Sequence, residues 1–168
     1  MNRKILFRGK CVSDSKYAGE WVTGGYVPLS EDITPNNEGL IMRFLGGNTT
    51  ITYHVDPDTV GQFTGLCDKN GVKIFEGDIV KRVSVNSDSS LYYDCGVVVF
   101  DNGNASFKLS MYKCVFNGRD IGLFDDDDDA TCNFVTNVVY DGQTPQEDEY
   151  CYEVISNIHD NPELLAAK

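Results

Sequence analysis

The chain is 168 residues long, 41% hydrophobic and 11% aromatic, enough apolar surface for one folded domain and too much for a disordered chain. Twenty-six acidic residues against 14 basic ones give a net charge of −12, which disfavours direct binding to a phosphate backbone and leaves Arg3, Lys4, Arg8 and Lys10 as a modest basic cluster. No apolar run approaches the ~20 residues of a membrane-spanning helix, and Ile5 to Phe7 is too short for a secretory signal, so the expected location is the cytoplasm.

Short strands dominate the chain. Lys4–Arg8 opens with one, and Glu20–Leu29 follows, with Gly24-Gly25 predicting a bulge or bend and Pro28 its end or a sheet edge. Ser30–Gly39 is polar and reads as a loop. Leu40–Leu45 and Thr49–Val55 flank Gly46-Gly47-Asn48 and predict a hairpin. Gly61 and Gly65 read as turns, and Asn70-Gly71 predicts a type I′ turn because both residues tolerate φ > 0. Ile74–Phe75 and Ile79–Val83 flank a tight corner at Glu76-Gly77-Asp78.

Asn86–Ser90 is a polar loop. Leu91–Phe100 and Ala105–Met111 are strands joined by a turn at Asp101–Asn104. From residue 117 the composition changes: Asp125 to Asp129 are five consecutive aspartates. Cys132–Tyr140 regains strand character, Asp141–Asp148 is turn and acid, and Tyr150–Ile155 is the last strand. Asn161-Pro162 predicts an N-cap with Pro at the first helical position of a short terminal turn. With no long amphipathic helix, the pattern predicts a mainly β fold, a barrel or a sandwich.

The residues that carry chemistry are sparse. Cysteines stand singly at 11, 67, 95, 114, 132 and 151, with no C-x-x-C pair, so free thiols are expected and a zinc site is not. His54 and His159 sit in no catalytic or metal motif, although a Cys–His nucleophile could form in space. The aspartate run lacks the alternating spacing of a calcium loop and reads as a solvated acidic segment. Gly46-Gly47-Asn48 lacks the Lys-Ser/Thr of a phosphate loop. Glu76 and Asp78 could serve as an acid–base pair. The competing structural reading has Gly77 supplying an unusual backbone angle and Asp78 accepting backbone N–H bonds.

Three blocks together resemble the YopX family. They are Val55-Asp56-Pro57-Asp58-Thr59-Val60-Gly61-Gln62-Phe63-Thr64-Gly65-Leu66 with Asp68-Lys69-Asn70-Gly71 and Ile74-Phe75-Glu76-Gly77-Asp78-Ile79-Val80; the terminal run from Tyr152 to Leu165; and Ile5-Leu6-Phe7-Arg8-Gly9 with Trp21-Val22-Thr23-Gly24. The resemblance implies a phage or prophage protein, a small barrel similar to the SH3 type with additional N-terminal strands and almost no helix, and self-association. The chain is read as one such domain over 1–168, with an N-terminal β lobe over 1–60 and the barrel over 61–168; it departs from the family's pattern in a longer acidic segment at about 117–148, which reads as an insertion.

The resemblance implies no catalytic, cofactor-binding or metal residue. The residues from Gly61 to Leu66, with Asp68, Asn70, Gly71, Ile74, Phe75, Glu76, Gly77 and Asp78, are expected to be structural. The leading functional reading is a non-enzymatic accessory protein that binds itself or an unidentified host or phage protein. A nucleic-acid-linked factor or DNA mimic, and an enzyme with an unrecognised site, remain the alternatives.

Overall fold

A computed structural model describes residues 4–12, 16–29, 38–85, 91–116, 119–123, 131–133 and 151–165. The chain divides into two compact units, Met1–Leu66 and Cys67–Lys168. The expectation of a mainly β fold holds. Apart from strands, the described residues form one-turn 3-10 helices at Pro57–Thr59 and Pro162–Leu164.

The first unit contains β1 (Phe7–Lys10), β2 (Trp21–Pro28), β3 (Gly39–Gly46), β4 (Thr49–Val55) and β5 (Gly61–Cys67). Its antiparallel order is β4-β3-β2-β1-β5. The bend expected at Gly24-Gly25 is the point where β2 changes partner. Trp21 to Gly24 pair with β1, and Gly25 to Pro28 pair with β3. A Cβ on Gly24 would lie 2.2 Å from the Met42 carbonyl oxygen, so only glycine lets the two backbones approach this closely.

The β3–β4 hairpin forms as expected, with β4 at the bounds read from the sequence. Beyond its end, Val55 bridges to Cys11; the Val12 N–H donates to the His54 carbonyl and the Asp56 N–H to that of Lys10. This bridge carries β1 back to β4 and encloses a core of Cys11, Ile41, Tyr53 and Val55, with Tyr17 edge-on to Tyr53 at 5.3 Å. Burial pushes the Cys11 thiol above its usual range, with the Glu20 charge adding to the effect.

Two local expectations differ here. Gly61 and Gly65 were expected to be turns, but both lie inside β5. Gly61 and Phe63 are buried and alternate with half-buried neighbours, so packing outweighs the poor strand propensity of Gly61, whereas Gly65 is exposed and takes a φ of 94° within the strand. The 3-10 turn at Pro57–Thr59, anticipated by no element, is capped by Asp56, whose Oδ1 accepts from the Asp58 N–H at 3.0 Å.

The second unit contains β6 (Lys73–Phe75), β7 (Asp78–Val85), β8 (Leu91–Asp101), β9 (Ser106–Phe116), β10 (Arg119–Leu123), β11 (Thr131–Asn133) and β12 (Cys151–Asn157). Five of them form an antiparallel sheet of order β10-β9-β8-β7-β12, and β11 also pairs with β9. No pairing among the described residues joins β10 to β12, so this sheet is open and the SH3-type barrel is not closed. The stretch from 117 to 148, read as an insertion, contributes β10 and β11. The aspartate run lies outside the described residues. Ile74, Phe75, Ile79, Val80, Val98, Leu109 and Tyr152 are buried.

Candidate functional site

The most highly constrained side chains lie where the 68–78 segment meets the C-terminal block, within the second unit. Asp68 begins a turn in which the Gly71 N–H donates to the Asp68 carbonyl at 2.9 Å, and the Asp68 N–H donates to the Val72 carbonyl at 2.8 Å. Only Gly71 of this turn has positive φ, at 79°. Asn70 therefore does not adopt the left-handed region, and the expected type I′ turn is replaced by a turn followed by a left-handed glycine.

The Asp68 carboxylate fixes that geometry. Its Oδ1 accepts from the Asn70 N–H at 2.8 Å and from the Val72 N–H at 2.9 Å. Its Oδ2 accepts from the Val154 N–H on β12 at 3.2 Å. Beside it, the Lys69 N–H donates to the Tyr152 carbonyl at 3.0 Å, and Lys69 Nζ pairs with Glu153 at 2.8 Å. Desolvation opposes ionisation of this buried carboxyl. The N–H donors of Val72, Val154 and Asn70 outweigh it and hold the group below the usual carboxylate range.

The 76–78 corner is tied to the same block. Gly77 has φ of 80°, donates its N–H to the Val98 carbonyl at 2.9 Å and accepts from the Ile158 N–H at 3.0 Å. Asp78 is 1% exposed, and its Oδ2 accepts from the Phe75 N–H at 2.7 Å. Asn157, opposite Asp78 in the β7–β12 ladder, accepts through Oδ1 from the N–H groups of His159 and Asp160 and donates through Nδ2 to Asp160. Ser156 Oγ donates to Asn161 Oδ1 at 2.6 Å.

Two stretches far apart in sequence thus form one junction, held by side chains that satisfy backbone groups. A family model described as YopX protein matches residues 15–166. The chain belongs to the YopX family. Among solved structures, the crystal structure of protein EF1440 from Enterococcus faecalis is 21% identical to this YopX chain, with 96% of this chain and 98% of that one covered and a TM-score of 0.40. No curated protein matches it.

The structure distributes the motif residues of this YopX chain between the units. Gly61 to Leu66 build β5 in the first, with Phe63 buried. Asp68, Asn70, Gly71, Ile74, Phe75, Glu76, Gly77 and Asp78 lie in the second, where Ile74 and Phe75 enter the core. Of the acid pair read from the sequence, Asp78 is buried with its Oδ2 on the Phe75 N–H, while Glu76 is half-buried.

His54 pairs with Glu38 at 2.7 Å on the first unit, whereas His159 lies in the second beside Gly77. Cys11, Cys67 and Cys95 are free thiols. Among the described residues, no group of three or more His, Cys, Asp or Glu is placed to hold a metal ion. Asn161 precedes the terminal 3-10 turn with Pro at its start, but its side chain makes no capping bond. It bonds Ser156 and Glu163 instead.

Sequence reading missed the ion pairs, of which the most buried among the described residues lies in the β7–β8 ladder. Arg82 on β7 stands opposite Asp94 on β8, and its Nε and Nη2 both donate to Asp94 Oδ2. The signal was present in the spacing: antiparallel pairing of the strands read at Ile79–Val83 and Leu91–Phe100 can set 82 opposite 94.

Proposed function

We propose that this YopX-family chain is a non-enzymatic accessory protein of a phage or prophage, working in the bacterial cytoplasm through protein–protein contact, with itself or with a host or phage protein. The observation that carries the reading is the tip of the β3–β4 hairpin, where Phe44 is 78% exposed and Leu45 56% exposed. Two adjacent large apolar side chains at a strand-to-strand tip are thus left largely in solvent by the unit that carries them. Desolvated aromatic and aliphatic anchors of this kind are the side chains that dominate contact energies. The net charge of −12 supports a protein partner over a phosphate backbone.

The test uses the full chain and its Phe44→Ser/Leu45→Ser variant. Light scattering measures mass, and affinity capture from a bacterial lysate seeks a partner. The expected result is a complex or oligomer that the double variant weakens by about tenfold or more. A wild-type monomer that captures nothing, or a complex indifferent to the double variant, overturns the reading. Binding to single- or double-stranded DNA at about 50 mM salt would instead favour a nucleic-acid-linked function.

A further inference from the structure

We propose that Asp68 is a latch on the outer edge of β12, and that opening it exposes a strand able to pair with β12 of a second copy of this chain. The proposal concerns a surface other than the β3–β4 tip and does not depend on it.

Among the described residues, β12 pairs with β7 on one side and with no strand on the other. Its outer edge is covered differently. The Tyr152 carbonyl accepts from the Lys69 N–H, and the Val154 N–H donates to Asp68 Oδ2. Residues 152 and 154 are one strand period apart, so these are successive outward-facing groups of a β-edge. A carboxylate oxygen takes the place where a neighbouring strand would offer a carbonyl. It is held there because its other oxygen is fixed by the N–H groups of Asn70 and Val72.

Unpaired edges are ordinarily protected by Lys, Pro or a covering element. Tyr152-Glu153-Val154-Ile155 contains no Lys, Arg or Pro, and Ile155 is 44% exposed. Antiparallel self-pairing about Val154 would set Glu153 opposite Ile155 and Tyr152 opposite Ser156, so no like charges face one another. The edge is compatible with a copy of itself, and the Asp68 turn stands in the way.

Asp68→Asn in the full chain tests this selectively. The amide oxygen can still accept from Asn70 and Val72, while the amide NH2 faces the Val154 N–H, donor against donor. The Val154 amide is expected to exchange with solvent about tenfold or more faster, while Ile79 and Val80 in β7 keep their protection. Mass by light scattering is expected to rise towards twice the wild-type value as concentration increases, and adding Ile155→Lys should return it to the wild-type value without slowing Val154 exchange. Unchanged Val154 exchange, a mass that stays at the wild-type value, acceleration of Ile79 and Val80 in step with Val154, or a doubling that Ile155→Lys leaves in place would each overturn the proposal. Asp68→Glu, which displaces the carboxylate by one methylene, is expected to give the same ordering and carries the test should D68N not fold.

Discussion

Asp68 accepts a hydrogen bond from the backbone N–H of Val154 across 86 positions of sequence. The charged groups on the two elements that meet there are Lys69 and Glu153, and these pair with each other. The stabilisation of the ionised Asp68 carboxylate comes from the backbone N–H groups of Val72, Val154 and Asn70, with the Asn70 side chain adding to them. Its folded-state pKa is therefore below its unfolded one. The stability it contributes is fully present above the unfolded carboxylate range, near pH 4, and is lost as pH falls through the lower folded value. Asp68→Asn should cost about 2 kcal/mol at neutral pH and flatten this part of the acid limb. Urea midpoints measured across the acid range for both chains check it, and parallel profiles would refute the assignment.

Gly24 and Gly25 are neighbours with opposite tolerance. A Cβ on Gly24 would press to 2.2 Å from the Met42 carbonyl oxygen, which is backbone and cannot swing away, whereas a Cβ on Gly25 meets nothing within 4 Å. Gly24→Ala should cost about 3 kcal/mol or more, and Gly25→Ala less than about 1 kcal/mol. Chemical denaturation of the two variants measures the contrast. Equal costs would mean that β2 does not change partner at this point.

What could be read from the sequence was what its near neighbours determine. Thr49–Val55 declared itself a strand because its β-branched and aromatic residues alternate locally, and Gly46-Gly47-Asn48 closed its hairpin. β5 was hidden because Gly61 and Gly65 suppress strand propensity, while the burial of Phe63 that favours it depends on tertiary packing. Asn70-Gly71 revealed a turn but not its type, because the deciding acceptor is the Asp68 side chain. The junction itself was legible only as two separate blocks, since nothing near Asp68 points to Val154. The Phe44-Leu45 tip was read as strand without sign of its exposure, because the same apolar pair would suit a buried strand.

Ala105 is the only non-glycine residue with positive φ among the described residues, at 50°. It follows the Asp101–Asn104 turn, in which Asp101 accepts from the Gly103 N–H, Asn104 Nδ2 and Lys108 Nζ. The sequence reads as a turn at Asp101–Asn104, and the left-handed residue falls just after it. Ala105→Gly removes a left-handed penalty of ~1 kcal/mol and loosens the unfolded chain by a smaller amount. A net gain of ~0.5 kcal/mol follows from the difference, readable as a small rise in the denaturant midpoint. A loss of stability would show that Ala105 carries no conformational cost.

Arg82 and Asp94 form an ion pair in which the Asp94 side chain is 1% exposed. The cost of burying Asp94 is met by the guanidinium opposite it, so the two substitutions are not independent. Arg82→Met leaves a buried carboxylate without its cation and should cost about 3–5 kcal/mol. Arg82→Met with Asp94→Leu removes both charges, and should be more stable than Arg82→Met alone by ~2 kcal/mol or more. The double-mutant cycle, read by urea denaturation, measures the coupling directly. Additive single costs would show that the pair does not act as a unit; a strong coupling would identify Arg82 as the counter-charge that allows an aspartate at this buried position in the β7–β8 ladder.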